Sequence, residues 1–354
     1  MVQVMHQRSR TAPNARAAVR AGLRYVTDAQ PGLTRVISGS KLILKNAAGR
    51  RVTDAAMLAR VRALAIPPAW TDVWICPSPH GHIQAVGRDA RGRKQYRYHT
   101  AWTTVRDSSK FDHVVAFGES LPKIRAVTES HLRKRELSRE RVLATIVRIM
   151  EKTAIRVGNE EYARANGSYG LTTMRDRHAT VKGGTVRFDF RAKSGILQHV
   201  ELDDARLAAI VKRCQDLPGQ TLFQYLDPDG TRRDVDSADV NAYLRAAGKG
   251  DFTAKDFRTW TATVLAASEL AATDATAAES TVTMTARKRL MNDAIGKVAE
   301  HLGNTRTVCR KCYIHPAVMS GFLAGKTVKS GSAHVRRGLT AWETAVVTFL
   351  KSAS

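Results

Sequence analysis

The chain has no long apolar run, so no part of it reads as a membrane-crossing helix. It also lacks a basic amphipathic anchor, which argues against a membrane surface as partner. Cysteine is scarce: Cys76, Cys214, Cys309 and Cys312 are the whole set. So few in so long a chain do not make a disulfide framework, and they point to a reducing compartment, the cytoplasm. Cys309-x-x-Cys312 has His315 nearby but no second cysteine pair at finger-like spacing, so no metal site is expected. Met1 to Arg20 is rich in Ala and Arg without an apolar core. That excludes a secretory signal and leaves a basic arm or, on composition, a mitochondrial presequence. No internal repeat and no Walker A sequence are found. Acidic residues are in deficit: 32 Asp+Glu against 57 Lys+Arg leave a formal net charge of +25. A surplus of that size points to a polyanionic partner, with nucleic acid leading.

What is present is an ordinary globular chain of 354 residues, 43% hydrophobic, long enough for two domains. Leu33 to Lys45 reads as a hairpin around Ser38-Gly39-Ser40. Thr53 or Asp54 caps a helix carrying Met57, Leu58, Val61 and Leu64, which Pro67-Pro68 stops. Three strand-like segments follow, Val73 to Cys76, His82 to Val86 and Gln95 to Tyr98, with His80-Gly81-His82 taken as a loop. The polar stretch His99 to Asp112 reads as a hinge or linker. The expected domains are therefore 1–104, β-rich, and 105–354, mainly helical, an α+β chain.

In the second part Ser138 caps a helix bearing Val142, Ile146, Ile149 and Met150. A small β insert follows: Val186, Phe188 and Phe190 alternate with polar residues, and the turn Ala192-Lys193-Ser194-Gly195 leads to a strand at Ile196 to Val200. Helices resume at Asp203 to Cys214, Asp236 to Ala246, Thr253 to Leu270 and Met284 to Leu302, the last stopped by Gly303. Ala271 to Ser280 reads as a flexible joint. Thr340 and Glu343 form a capping box for a terminal helix.

Five ordered patterns carry a family resemblance. They are Arg93-x-x-Tyr96-x-Tyr98; Arg156-Val157-Gly158-Asn159-Glu160-Glu161-Tyr162 followed by Gly170-Leu171-Thr172-Thr173; Lys193 in Phe190-Arg191-Ala192-Lys193-Ser194-Gly195; Lys255-Asp256-Phe257-Arg258-Thr259-Trp260; and Asn304, nine positions before Tyr313. Together, from about Arg35 to Pro316, they resemble the type IB DNA topoisomerases, in the small poxvirus and bacterial branch.

The resemblance implies that Tyr313 attacks a DNA phosphodiester and forms a 3′-phosphotyrosine link. Arg156 and Arg258 would clamp the phosphate from two helices, their planar guanidinium groups matching its oxygens. Asn304 would donate its amide to a non-bridging oxygen where many relatives carry His. Lys193 would be the general acid for the leaving 5′ oxygen, with Lys255 assisting. Arg93, Tyr96, Tyr98 and Tyr162 match DNA-contacting positions, and Arg91, Lys94 and Arg97 add charge among them. The implied enzyme is a monomer closing as a clamp on double-stranded DNA, hinged at His99 to Asp112. It relaxes both signs of supercoil with no ATP, metal or other cofactor. Two rivals remain. A tyrosine recombinase shares the chemistry, but usually has His-x-x-Arg where this chain has Lys255-x-x-Arg258, and a helical N-terminal domain. A non-catalytic DNA-compacting protein would explain the charge alone. Tyr96 and Tyr98, on one strand face, can also be simply a packed pair.

Overall fold

Alternating apolar residues build the first sheet. In the computed structural model, which describes residues 15, 18–38, 41–90, 92–277, 283–331 and 335–353, the chain divides into two compact units, Met1–Phe111 and Asp112–Ser354. The first unit holds β1 (Leu33–Ser38), β2 (Lys41–Lys45), α1 (Ala55–Ala63), β3 (Thr71–Ile75), β4 (Ile83–Arg88) and β5 (Lys94–Tyr98). The strands form one antiparallel sheet in the order β2-β1-β3-β4-β5. Val73 and Ile75 on one face of β3 join Leu33, Leu44, Ala85 and Val61 of α1 in its core. Asp54 caps α1, accepting from the Met57 amide at 2.9 Å. β5 is an edge strand with Lys94, Tyr96 and Arg97 exposed, a polar edge that resists further strand pairing.

One reading is extended here and one changes. His82 does lie on a loop, but a buried one: its ring stacks on Tyr25 at 4.3 Å and meets the edge of Trp102 at 4.8 Å. Its Nδ1 accepts the Val26 amide at 3.0 Å, and burial lowers its pKa. The polar stretch expected to be a hinge is helical. It opens α2 (Thr100–Leu132), a helix of 33 residues in which the unit boundary falls. Polarity misled because a solvated helix face is as polar as a linker, and no Gly or Pro interrupts the chain before Gly118. The hairpin turn at 39–40, Arg91 and most of the basic arm lie outside the described residues.

The second unit continues with α3 (Arg139–Thr153), α4 (Glu160–Asn166), β6 (Ala179–Lys182), β7 (Thr185–Arg191), β8 (Leu197–Asp203), α5 (Ala205–Gln215), β9 (Gln224–Leu226), β10 (Arg232–Asp234), α6 (Ser237–Gly248), α7 (Ala254–Ala277), α8 (Met284–His301), α9 (Arg306–Cys312), α10 (Pro316–Leu323) and α11 (Ala341–Ser352). α3 is the central helix, with Val142, Leu143, Ile146, Val147, Ile149 and Met150 fully buried. β6, β7 and β8 make a separate antiparallel sheet, and β9 pairs with β10. α7 runs unbroken through 271–277, where a joint was expected; Ala is a strong helix former, and residues 278–280 of that segment lie outside the described ones.

The capping-box residue Glu343 does more than cap α11. It accepts from Arg125 at 2.7 and 2.9 Å, from the Trp260 indole at 3.2 Å and from the Thr340 amide at 2.8 Å, while Arg125 also donates to Glu151 at 2.6 Å. Burial alone would raise the Glu343 pKa, but the Arg125 and Thr340 hydrogen bonds carry it below the usual value. Such a group adds stability above the unfolded carboxylate range, which is lost as pH falls through its depressed pKa. We expect Arg125→Ala to cost about 3 kcal/mol and to flatten the acid limb of the stability–pH curve, measured by urea unfolding.

Candidate active site

The site is assembled where three helix ends meet. α3 stops at Ala154, a C-cap in the left-handed region at φ 54°. Arg156 follows two residues later, on a loop and not on a helix as expected. The loop is pinned by backbone bonds: Arg156 O accepts from the Leu171 amide at 2.9 Å and Val157 O from the Thr172 amide at 2.7 Å. This close packing requires the glycines of the motif. Gly158 has φ 106°, and a Cβ on Gly170 would lie 2.6 Å from Arg156 O and from the Gly158 Cα.

Arg258, on α7, is 4% exposed and organises two of these ends. Its Nη1 donates to Ala154 O at the end of α3, and its Nη2 donates to Leu302 O at the end of α8, at 2.7 Å. Asn304 stands two residues beyond Leu302, past Gly303 in the left-handed region at φ 57°. Arg156 closes the triangle by donating from Nη2 to Asn304 Oδ1 at 2.5 Å. One guanidinium thus holds both helix termini from which Arg156 and Asn304 emerge. The family resemblance implied a fork aimed at phosphate, but both Nη groups of Arg258 are engaged by backbone carbonyls. Each Nη keeps a second N–H beyond its carbonyl bond, and Nε is buried with no partner. Burial, then repulsion from Arg156, lowers the Arg258 pKa, and Tyr313 raises it in part.

Asn304 shows the same pattern. Arginine only donates, so its partner atom must be the amide oxygen, which turns Nδ2 away from Arg156. Nδ2 is also buried, beside the Cys309 thiol and without a partner of full hydrogen-bond geometry. A buried donor without a partner, as Arg258 Nε is, and one met only by a thiol, as Asn304 Nδ2 is, are costly unless an acceptor is to arrive.

Tyr313 ends α9 as its C-cap, half-buried, with the Arg258 guanidinium 5.3 Å from its ring centre. Lys193 occupies the single helical turn between β7 and β8, with Ser194 at φ 68° and Gly195 at φ 77°. It is exposed, and its Nζ lies 5.7 Å from the Tyr162 ring, a cation–π distance. The Tyr169 amide donates to Arg191 O at 2.8 Å, tying that turn to the Gly170 loop. Asn159 caps the short helix α4 that presents Tyr162, accepting from its amide at 3.0 Å. Arg156, Tyr162, Lys193, Lys255, Arg258 and Tyr313 all line one cleft of about 300 Å³, with Lys255 exposed one turn before Arg258.

Not every sequence candidate belongs to this cleft. Arg93, Tyr96 and Tyr98 lie in the first unit. Arg93 pairs with Asp89 at 2.7 Å, and the Tyr96 and Tyr98 rings stack at 5.7 Å with 13° between their planes. The packed-pair alternative is therefore realised, although Tyr96 stays 41% exposed. Cys309 and Cys312 are free thiols, and burial raises the Cys309 pKa. Among the described residues no group of three His, Cys, Asp or Glu could hold a metal, and no helix is long and apolar enough to cross a membrane. Sequence reasoning did not single out Thr263, whose hydroxyl touches the backbone on both sides of the Tyr313–His315 segment. Its signal was faint: a threonine on an alanine-rich helix face.

A tyrosine at a helix end, two arginines and a turn lysine line one cleft, while Asn304 does not line it and is hydrogen-bonded to Arg156; the set is suited to phosphoryl transfer. The family model described as eukaryotic DNA topoisomerase I, catalytic core, matches residues 99–333, and that of the bacterial DNA topoisomerase IB N-terminal domain matches residues 45–89. The chain is 31% identical over 287 residues to DNA topoisomerase 1B of Acanthamoeba polyphaga mimivirus, covering 80% of this chain and 85% of that protein. It is 29% identical over 192 residues to DNA topoisomerase 1 of Candidozyma auris, covering 52% of this chain and 24% of the yeast protein. Among solved structures, a XerH site-specific recombinase bound to difH substrate aligns over 56% of this chain and 49% of its own, at 17% identity and a TM-score of 0.33, too distant to bear on function. The chain belongs to the type IB DNA topoisomerase family. It is an enzyme that acts on DNA, with a mixed α+β fold.

Proposed function

We propose that this enzyme relaxes positive and negative supercoils by cutting one strand through a 3′-phosphotyrosine intermediate, letting the free end rotate, and resealing it. The observation that carries the reading is the convergence on one cleft of Tyr313, Arg156, Lys193 and Arg258, with the Arg258 Nε donor unpaired and Asn304 hydrogen-bonded to Arg156 beside them. Tyr313 Oη attacks phosphorus, the P–O5′ bond breaks, and the phenol proton passes to solvent. Lys193 Nζ gives its proton to the departing O5′. The five-coordinate transition state gathers negative charge on its non-bridging oxygens. Arg156 lies beside that charge, and the Arg258 Nε–H and Asn304 Nδ2–H are donors already fixed in place, so little reorganisation is needed as it develops.

One phosphodiester replaces another, so the exchange is near-neutral in energy and consumes no ATP. Fixed cations neutralise the phosphate, the task a metal performs in other nucleases. We assign the first unit, with Arg93, Tyr96 and Tyr98 on its edge strand, to gripping the duplex as a monomeric clamp; on binding, Arg93 would exchange Asp89 for a phosphate. Such an enzyme would work on chromosomal DNA in the cytoplasm. The test is a plasmid assay in EDTA without ATP. Both positively and negatively supercoiled plasmid are expected to relax fully. Relaxation of one sign only, or a strict need for a divalent ion or ATP, would refute the proposal.

A further inference from the structure

Thr263 is fully buried on α7, five residues after Arg258. Its hydroxyl oxygen lies 2.7 Å from Thr259 O, 3.2 Å from Tyr313 O and 3.2 Å from the His315 amide nitrogen. A hydroxyl has one proton to give and two lone pairs. It therefore accepts the His315 N–H and donates to one of the two carbonyls. The Tyr313 and Ile314 amides are met by the preceding helix, both donating to Cys309 O at 3.0 Å, and His315 O is met by the following one, accepting from the Val318 amide at 3.1 Å. Thr263 is the side chain that fixes the far side of the nucleophile's peptide.

From this geometry we infer that Thr263 is a positioning residue for the cleavage reaction, locking the backbone that leaves Tyr313 to the helix that carries Arg258. Five residues of helix separate the two side chains by about 7.5 Å along the axis and about 140° around it. α7 thus holds this segment at two points, the Tyr313 ring against the Arg258 guanidinium and the main chain just beyond it through the His315 N–H on the Thr263 hydroxyl. In-line attack needs the phenol oxygen placed to within a fraction of an ångström of its line to phosphorus, and a misplacement of about 1 Å costs about a hundredfold in rate. α9, which precedes Tyr313, is a helix of only 7 residues and too short to impose that precision alone. The inference rests on Tyr313 being the nucleophile.

The experiment compares Thr263→Val, which keeps the shape and removes the hydroxyl, with Thr263→Ser, which keeps the hydroxyl. Single-turnover cleavage and religation are followed on a duplex whose strand beyond the cut is short enough to leave, beside DNA affinity and the thermal midpoint. We expect Thr263→Val to slow cleavage and religation about ten- to hundredfold with affinity within about twofold, and Thr263→Ser to recover most of the rate. The Thr263→Val defect should persist on a substrate with sulfur replacing the bridging 5′ oxygen, because nucleophile placement is not a leaving-group problem. Wild-type rates in Thr263→Val, rescue by sulfur, or a rate loss matched by equal loss of affinity or folded protein would each overturn the inference. Should Thr263→Val not fold, Thr263→Ala carries the same comparison. An adduct still formed by Tyr313→Phe would instead sink the nucleophile assignment and leave the Thr263 contacts to another explanation.

Discussion

Tyr313→Phe is expected to bind duplex DNA as its parent does and to form no covalent adduct with it. The substitution deletes one oxygen. The ring that faces Arg258 at 5.3 Å remains, and so do the backbone contacts through Cys309 and Thr263, so the cleft should keep its shape. Duplex affinity comes mainly from charge spread over the surface, in a chain with a net +25, and one phenol contributes little to it. Without Oη the cleft keeps two other phenols, but Tyr162 lies under Lys193 and Tyr169 packs on His178, whereas the Arg258 guanidinium faces the Tyr313 ring; Arg156, Arg258, Lys193 and Lys255 are cationic, and the neighbouring Cys309 thiol is buried with its pKa raised. Plasmid relaxation should fall below detection while gel-shift affinity stays within about threefold.

Lys193→Ala is expected to lower the cleavage rate by about a hundred- to ten-thousandfold, the usual worth of a positioned acid. A DNA 5′ alkoxide is a poor leaving group and needs a proton as the P–O5′ bond breaks. A thiolate leaves without one. Replacing the bridging oxygen by sulfur should therefore restore cleavage by Lys193→Ala to near the parental rate. It should do nothing comparable for Arg156→Ala, whose loss is felt at the non-bridging oxygens. Lys193 is suited to this work by its place. Its turn contains two successive left-handed residues, it is exposed, and it rests over Tyr162 with no salt bridge to hold it back among the described residues. If sulfur fails to rescue Lys193→Ala, Lys193 acts on the phosphate and not on the leaving group.

The sequence made the cast legible and left the stage directions out. Tyr313, Arg156, Lys193 and Arg258 were readable because each stands in a local pattern, and Lys193 could be placed on its turn because Ser194-Gly195 after alternating Phe188 and Phe190 allows little else. The caps at Asp54, Ser138 and Thr340 were readable because they depend on neighbours within three residues. The tasks of Arg258 were not, because its partners Ala154 and Leu302 are main-chain carbonyls 104 and 44 residues away, and a carbonyl has no letter of its own. The buried Arg125–Glu343 pair escaped for the same reason of distance, its partners lying 218 residues apart. The start of α2 was misread because composition alone cannot separate a solvated helix from a linker.

The central claim is that Tyr313 becomes joined to DNA through a 3′ phosphate. It is tested most directly by trapping the enzyme on a cleaved duplex, digesting both components and mapping the nucleotide-bearing peptide by mass spectrometry. We predict a single modified peptide containing Tyr313, with the phosphate on the 3′ end of the broken strand and a free 5′ hydroxyl across the nick. A nucleotide attached to any other residue, or a phosphate on the 5′ side of the break, would contradict it.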